Sequence, residues 1–456
     1  MQINRLPIIV WFRQDLRLRD NPALYYAVRT QRPIIPLYIL SETNHHSWKL
    51  GKSSAWWLHY SLMSLKSQIK LVIKKGSPLS IIQKLFQETG AEEIVFNSTY
   101  DPFTDEEEIL KRFPSQVFHG SVLFPCGSIL NQEGKPFKVF TPFYNACLKE
   151  SVSPPLPLPK KIDLFKGSLK SLEVDELNLL SRSEDFTEYE ALWQPGEEGA
   201  LKKLTSFVKT KVDRYQKDRD FPVLEGSSLL SPHLHFGEIS PKQVWKAAEG
   251  KTDFLRQIVW REFAIHLLKA YPHLPNTPFD AKFKNFPWGK NTRLLEAWLK
   301  GQTGYPIVDA GMRQLRRIGW MHNRLRMIVG SFLVKDLNIS WTDGSQWFWK
   351  YLIDADLANN TFGWQWVSGC GLDAAPYFRI FNPVLQSEKF DPKGEFIKTF
   401  VPELSALDKK WIHQPWKAPA DVLLTANVVL GQDYPWPVVD HNQARKDALS
   451  RLKHIS

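Results

Sequence analysis

The chain changes its pattern at a proline-rich stretch, SVSPPLPLPKK, which begins at Ser151. Proline lacks a backbone N–H and fixes φ, so this stretch can continue neither a helix nor a central strand. A segment of this composition is predicted to be a semi-rigid connector. We therefore expect a different architecture on each side of it.

Before this connector, short apolar or β-branched runs alternate with stretches of helical periodicity. The strand-like runs are residues 7–12, 34–40, 69–75, 93–97 and 116–124, and the helical stretches include 55–65 and 81–88. This alternation predicts a doubly wound parallel sheet, which binds ligands outside the carboxyl ends of its strands. No G-x-G-x-x-G follows the first run and no G-x-x-x-x-G-K-[ST] occurs. Both a nicotinamide-type dinucleotide site and a P-loop are therefore disfavoured.

After the connector, apolar residues recur at spacings of three and four, as on amphipathic helices. The clearest such stretches are residues 254–268, 292–300, 308–318, 322–337 and 346–352. The predicted fold class is thus α/β, with an N-terminal doubly wound parallel-sheet domain, a long connector and a larger all-helical domain. We place these parts at residues 1–130, 131–200 and 201–456.

The amino-acid composition limits the classes of function that the protein can have. Lys and Arg number 59 against 48 Asp and Glu, and the net charge of +11 fits a polyanionic partner. Eighteen tryptophans in 456 residues indicate stacking surfaces or redox work, or else an aromatic-rich core. Three cysteines without metal-ligand spacing predict neither a disulfide framework nor a metal site. No apolar run is long enough for a membrane span, and the start lacks the features of a signal peptide, so we expect a cytoplasmic protein.

The residues that carry chemistry are densest between Trp320 and Lys389. Asn323 and Met327 are four apart and share a predicted helix face, while Asp354 and Asp356 flank one residue and would point the same way in a turn. An Arg–Asp cluster in apolar surroundings must be paired. It is either a structural ion pair or a polar cradle for a charged, flat cofactor.

Two tryptophans in this block, Trp364 and Trp366, are separated by one residue. On a helix their side chains would diverge, and on a strand they would share a face. If the segment is helical, one ring could face a cofactor while the other faces a different cavity.

Several ordered motifs identify a family. They are WFRQDLRLRDNPAL from Trp11, GSSLLSPHLHFGEISP from Gly226, FLRQIVWREF from Phe254, TGYPIVDAGMRQL from Thr303, and the block from GWMHNRLRM to EKFDP. With this order and spacing, the sequence resembles the DNA photolyase/cryptochrome flavoprotein family nearly end to end. It is most similar to the bacterial members that repair cyclobutane pyrimidine dimers.

The resemblance implies a non-covalently bound FAD in the helical domain. The residues that match the family's flavin contacts are Tyr215, Ser227, Ser228, Leu229, Ser231, Arg261, Asn323, Arg326, Asp354, Asp356 and Asn360. Hydroxyls and backbone amides at residues 227–231 suit a diphosphate. Arg326 is expected to pair with Asp354 and to counter a reduced, anionic ring, and Asn360 matches the residue beside the reactive flavin nitrogen. With Asn360, Trp288, Trp341 and Trp364 form the expected catalytic set, since these tryptophans match a surface-to-flavin electron relay.

The resemblance also implies DNA contacts. The matching positions are Arg219, Gln257, Trp260, Arg324, Met327, Trp366, Arg379 and Gln386. The arginines are expected at backbone phosphates, and Trp260, Met327 and Trp366 at the walls of a pocket for a flipped-out lesion. The partner is then ultraviolet-damaged DNA, and the reaction is light-driven repair by a deoxyribodipyrimidine photo-lyase.

Two alternatives stay open, because Gln257 stands where dimer-repairing enzymes usually carry glutamate. This glutamine favours two other functions, repair of (6-4) photoproducts and a cryptochrome-type photoreceptor. Against the (6-4) product, Asn323 and Met327 stand where its repair enzymes hold histidines, and neither can exchange a proton at neutral pH. Thr361 and Phe362 also depart from the family's usual Asn–Gly.

A second chromophore is a further expectation of the resemblance. Phe103 and Thr104 differ from the Asn and Glu of the best-known folate-binding members, whereas residues 51–62 resemble a bacterial subgroup that binds folate. We expect 5,10-methenyltetrahydrofolate as the antenna, with its identity open. The protein is expected to be a monomer without a metal.

Overall fold

The short β-branched runs of the N-terminal part form a parallel sheet. A computed structural model describes residues 5–42, 48–180, 185–373 and 378–455. The strands are β1 (Ile8–Phe12), β2 (Ile34–Ser41), β3 (Val72–Gly76), β4 (Glu93–Asn97) and β5 (Ser115–Phe118). Their order is β3-β2-β1-β4-β5 and every pair is parallel. The predicted doubly wound sheet is confirmed.

Helices cover the sheet: α1 (Pro22–Arg29), α2 (Lys52–Gln68), α3 (Pro78–Thr89) and α4 (Glu106–Arg112). Helix α1 begins with a proline after Asn21, whose side chain accepts the N–H of Leu24 at 3.1 Å. This is a strong N-terminal signal, because it satisfies a backbone group that the helix leaves free. From α2, Trp56 and Trp57 are fully buried.

The fifth strand is shorter than predicted, because it ends at Phe118 rather than at residue 124. The chain leaves the sheet there to reach the helical domain. The amides of Leu123 and Phe124 donate to the carboxylate of Glu262, at 3.0 Å and 2.8 Å. Hydrogen bonds to another element therefore replace the ladder that the apolar pattern predicted.

At the carboxyl ends of β1 and β4, where the strand order reverses, the chain's own side chains bond to one another. Arg13 pairs with Glu106 at 2.9 Å, and the amide of Asn97 donates to Asp15 at 2.6 Å. This is the edge at which an open parallel sheet usually binds ligands. Here that edge is filled by an internal polar network.

The segment between the sheet and the helical domain is mostly irregular, as its prolines predict. It includes α5 (Phe140–Cys147), a 3₁₀ turn (Asp175–Leu177) and α6 (Thr187–Leu192). Leu164 forms an isolated bridge with Ile34 of β2, and the amide of Leu172 donates to Ile73 of β3 at 2.9 Å. The connector therefore lies along the sheet and is held to it.

The remaining chain is helical. Its α-helices are α7 (Glu197–Thr210), α8 (Tyr215–Asp218), α9 (Ser231–His235), α10 (Pro241–Ala247), α11 (Thr252–Ala270), α12 (Thr292–Lys300), α13 (Pro306–Ile318), α14 (Asn323–Ser331), α15 (Trp341–Tyr351), α16 (Leu357–Ser368), α17 (Pro383–Phe390), α18 (Glu395–Phe400), α19 (Ala420–Thr425) and α20 (His441–Lys453). Shorter 3₁₀ turns cover Val212–Arg214, Ala281–Asn285, Pro402–Leu404 and Pro415–Lys417. The predicted helix at 322–337 is divided, since α14 is followed by a π-helical turn (Phe332–Asp336). No helix in the described part of the chain is long and apolar enough to cross a membrane.

Three buried carboxylates accept hydrogen bonds that join the sheet domain to the helical part of the protein. Glu197 accepts the amides of Leu18 and Arg19 at 3.1 Å and 2.9 Å. Glu238 accepts the indole N–H of Trp57 at 3.0 Å, and Glu262 binds the chain after β5 as described above. Each charge is buried and hydrogen-bonded, and would be costly to leave unpaired. The two domains are therefore joined by fixed contacts.

Candidate cofactor and nucleic-acid site

The serine-rich segment before α9 presents unused backbone amides. In the described residues the N–H groups of Ser227, Ser228 and Leu229 donate to no acceptor. Leu229 has φ of 55°, which is unusual for a residue with a side chain and turns successive amides toward one side. Ser231 begins α9 and its hydroxyl accepts the indole N–H of Trp320 at 3.3 Å. The segment is therefore suited to an anion such as a diphosphate.

An ion pair joins α14 to the start of α16. Arg326 Nη2 lies 2.8 Å and 3.0 Å from the two carboxylate oxygens of Asp354, and Arg326 Nε donates to the carbonyl of Met321 at 2.8 Å. The Asp354 side chain is 3% exposed and that of Arg326 25%. Among the described residues Nη1 of Arg326 has no partner, so the guanidinium can meet a second anionic group while its charge is already paired.

Asp356 has partners different from that of Asp354. It caps α16 by accepting the amide of Asn359 at 2.8 Å, and one of its oxygens lies 3.7 Å from Nδ1 of His235. Burial works to raise the pKa of Asp356, but His235, Arg261 and the Asn359 amide outweigh it and hold that pKa well below its ordinary value. Asp356 is thus a fixed negative charge.

The other expected flavin residues lie on the surrounding helices. Asn360 is buried and donates to the carbonyl of Ser345 at 3.0 Å, while Asn323 is exposed at the first position of α14. Arg261 donates to the carbonyls of Ser121 and Leu234. Tyr215 is buried, and burial raises its pKa. This donor set fits FAD, because it combines free amides for the diphosphate with a cation and a neutral amide for the ring.

The three tryptophans of the expected relay share one hydrophobic cluster. Trp364 and Trp341 are both buried, and Trp288 is a half-buried member packed against it. Trp364 lies on α16, so the helical alternative for its segment is confirmed. Trp366, two residues later on the same helix, therefore diverges from Trp364, and its side chain is half-buried. The indole N–H of Trp364 is buried without a partner among the described residues. Two of the three tryptophans thus lie inside this cluster and Trp288 lies at its half-buried edge.

Three of the expected DNA residues, Arg219, Gln257 and Arg324, form a connected group beside α8 and α11, with Asp220 between the two arginines. Arg219 Nη2 donates to Oε1 of Gln257 at 3.1 Å, and its guanidinium lies 5.2 Å from the ring centre of Tyr215. Arg324 pairs with Asp220 at 2.8 Å. Both arginines keep part of their side chains exposed, at 27% and 20%. The group is therefore arranged in advance and is accessible to phosphates.

Aromatic and sulfur side chains border the same group. The ring of Trp260 stacks on Phe140 with centres 3.4 Å apart and an angle of 7°. Met327 Sδ lies 4.0 Å from Arg324 Nη1, and exposed Arg379 lies 5.9 Å from the ring centre of Trp366. These half-buried apolar groups offer flat surfaces, as base stacking requires. Gln386, on α17, is half-buried, and within the described residues no contact joins it to this group.

Sequence reasoning missed three residues of the site: Asp220, His235 and Phe140. Asp220 orients Arg324 and follows Arg219 directly, so its position was the available signal. His235 holds Asp356, and its place in the PHLHFGE motif was a weak signal. Phe140 lies under Trp260 from a distant segment, and nothing in the sequence indicated it.

Comparisons with known proteins agree with this geometry. A family model described as DNA photolyase matches residues 8–160, and one described as FAD binding domain of DNA photolyase matches residues 254–454. The chain is 44% identical to deoxyribodipyrimidine photo-lyase of Agrobacterium fabrum over 99% of this chain and 98% of that protein. It is 37% identical to cryptochrome-1 of Arabidopsis thaliana over 97% of this chain and 70% of that one.

A solved structure is similar throughout. A bacterial class III photolyase from Agrobacterium tumefaciens superposes with a TM-score of 0.96 at 42% identity, over 100% of this chain and 98% of that one. The fold and the site define a flavoprotein built from a parallel-sheet domain and a helical FAD-binding domain. The chain belongs to the DNA photolyase/cryptochrome family.

Proposed function

We propose that this protein is a light-driven deoxyribodipyrimidine photo-lyase that repairs cyclobutane pyrimidine dimers in DNA. The observation that carries the proposal is the contact of Arg219 with Gln257, beside the pair of Asp220 and Arg324. It joins phosphate-binding cations and a lesion-facing amide into one group next to the residues that fit FAD. The high identity to photo-lyases over nearly the whole chain supports it.

Bound FAD, when reduced and excited by light, supplies the electron that splits the dimer, and it recovers that electron afterwards. The chain's part is to bind and orient. The amides of Ser227–Leu229 are proposed to hold the diphosphate, and Arg326, fixed by Asp354, to balance negative charge on the ring. Asn360, oriented by Ser345, is proposed to hydrogen-bond the reactive ring nitrogen.

The lesion is proposed to leave the duplex and lie against Trp260, Trp366 and Met327. Extrusion of a base costs a few kcal/mol, and stacking returns about 1–3 kcal/mol per base. The DNA backbone is proposed to be contacted by Arg219, Arg324, Arg379 and Gln386. The contribution of the arginines to DNA affinity weakens as the salt concentration rises. The amide oxygen of Gln257 is engaged by Arg219, and its amide nitrogen donates one N–H to the carbonyl of Asp253. Its second N–H is proposed to meet the lesion.

Trp364, Trp341 and Trp288 are proposed to carry electrons inward and so restore the reduced flavin before repair. Their place in one hydrophobic cluster, with Trp364 and Trp341 buried and Trp288 half-buried, supports a route between the interior and the surface. Indole is the side chain best suited to such transfer. At each step one tryptophan gives up an electron and is itself reduced by the next one in the series. Trp288, the last, takes an electron from a donor in solution.

An antenna, a monomeric state and a cytoplasmic location are further proposals. The filled edge at β1 and β4 favours an antenna site elsewhere, and 5,10-methenyltetrahydrofolate is the proposed ligand. Cys126, Cys147 and Cys370 are free, which fits a reducing compartment. The domain limits at residues 130 and 200 are likewise proposed.

A cryptochrome-type photoreceptor is the second candidate, and (6-4) repair the third. Gln257 favours both, and the likeness to a plant cryptochrome supports the photoreceptor. Exposed Asn323 and half-buried Met327 provide no proton donor for the (6-4) reaction.

A repair assay under blue light separates the three. Purified protein with reduced flavin is given oligonucleotides with either a thymine cyclobutane dimer or a (6-4) product, with a dark control. Restoration of the first alone is expected. Restoration of the (6-4) oligonucleotide alone would show that the protein repairs (6-4) photoproducts instead. No repair by protein that binds and photoreduces flavin would leave the photoreceptor function.

A further inference from the structure

Four exposed cations surround the half-buried end of the tryptophan series. Lys282 and Lys284 precede Trp288 in the chain, and Lys290 and Arg293 follow it. The 3₁₀ turn Ala281–Asn285 and the start of α12 hold this segment on both sides of the indole. The side chain of Trp288 itself packs on Phe286, with ring centres 4.3 Å apart.

The positive charge of this segment is not balanced by nearby partners. Within the described ranges, none of the four cations forms an ion pair. The carboxylate in the segment, Asp280, accepts the backbone N–H of Lys282 at 3.1 Å and so caps the turn. Asn338, which bonds the carbonyl of Pro287 and the amide of Gly289, is neutral. Residues 280–296 thus contain these four cations against two carboxylates, Asp280 and Glu296, and have a net positive charge.

A positive surface concentrates anions and accelerates their encounter. Resting on the relay proposed above, we propose that Trp288 is reduced by a small anionic electron donor that this surface attracts. One electron leaves the donor and enters the oxidised Trp288 ring. No bond forms or breaks, and the donor departs as its one-electron oxidised form.

DNA is the competing occupant, because this segment borders the proposed DNA face. Phe283, between Lys282 and Lys284, lies 6.4 Å from the ring centre of Phe378, which precedes Arg379. A small anion is favoured, because all four cations lie within six residues of Trp288 in the chain. The experiment includes DNA binding as an outcome.

The test measures how fast donors of different charge remove the tryptophan radical. FAD-loaded protein is flashed with blue light at low salt, and the radical's absorbance decay is followed with hexacyanoferrate(II), hydroxymethylferrocene or hexaammineruthenium(II). Each rate constant is divided by that for the radical of free N-acetyltryptophanamide. The anion is expected to gain on the order of tenfold over the neutral donor, the cation to lose similarly, and salt to remove both effects.

Charge reversal at Lys284→Glu and Lys290→Glu together should reduce the anion's advantage several-fold and leave the neutral donor unchanged. The matched control reverses Lys166 and Lys170, two exposed lysines of the connector. Equal normalised constants for all three donors, or no change in the variant, would overturn the proposal. The proposal would also be overturned if the variant lost DNA affinity, and the salt dependence of that affinity, while its rate constants with the three donors stayed the same. If Trp288→Phe leaves a long-lived radical unaffected, the relay itself fails, which is a separate result.

Discussion

The indole of Trp364 occupies the space in which a side chain at Gly344 would lie. A Cβ on Gly344 would come within 2.1 Å of the Trp364 ring. Helix α15 can therefore approach α16 only with glycine at this position. We expect Gly344→Ala to cost about 3 kcal/mol of unfolding free energy, because the ring or the helix must move. Denaturant unfolding checks this.

The matched control for this change is Gly363→Ala on α16. A Cβ there meets no atom within 4 Å, so alanine should stabilise the helix by about 0.5–1 kcal/mol. An equal cost at both glycines would show that the contact between Gly344 and Trp364 is not what limits the substitution.

Replacement of a relay tryptophan should separate photoreduction from repair. Trp341→Phe keeps an aromatic ring in the cluster but removes an oxidisable one, so light-driven reduction of bound flavin should largely stop. Repair by protein whose flavin was chemically reduced beforehand should continue. Flavin absorbance under illumination and the oligonucleotide assay measure the two. Trp416→Phe, in the same cluster, is the control and should affect neither.

The Arg326–Asp354 pair should matter for both stability and flavin binding. Asp354→Asn leaves a mostly enclosed guanidinium with a weaker partner, and we expect a loss of about 2 kcal/mol in the apoprotein. Arg326→Met should lose a similar amount, and the double variant less than the sum. Urea unfolding and flavin content after gel filtration provide the measurements. Exposed Glu296→Gln, which breaks a surface pair with Lys300, should change stability by less than about 0.5 kcal/mol.

Gln257 should act on the lesion rather than on DNA in general. Gln257→Ala removes the acceptor of Arg219 and the N–H proposed for the dimer, so affinity for dimer-containing DNA should fall about tenfold, as for one or two hydrogen bonds. Affinity for undamaged DNA should hardly change. Gln386→Ala, at a proposed backbone contact, should weaken both equally. Equal losses in Gln257→Ala would contradict the assignment.

His322 should make stability depend on pH. Its Nδ1 accepts the amide of Arg324 at 3.2 Å and caps α14, and burial lowers its pKa from 6.5 to about 4. Below pH 6.5 the unfolded chain therefore takes up a proton that the folded protein resists. Stability should fall between about pH 6.5 and about pH 4, by roughly 3 kcal/mol at most.

His322→Asn tests this, since asparagine caps a helix without titrating. The difference in unfolding free energy between about pH 7 and about pH 4.5 should shrink in the variant. An unchanged difference would assign the pH dependence to other groups, such as His119 and His413, whose pKa values burial also lowers.

The sequence predicted the elements better than the contacts between them. The apolar spacing of three and four located α12 at its observed bounds, because such a local pattern decides a helix. The end of β5 depended on Glu262, more than a hundred residues away, and apolar pattern does not record such a partner. The same applies to the site, since Arg326 and Asp354 meet as expected while Asp356 turns to His235.

The buried carboxylates Glu197, Glu238 and Glu262 have a consequence for how this protein comes apart. Neither domain has a complete set of hydrogen bonds without the other, so separation would remove the partners of these carboxylates and expose the apolar cluster that the two domains share. Heating should therefore give one shared melting transition, and protease should release no durable half. A gene fragment encoding either domain alone would yield an aggregating product.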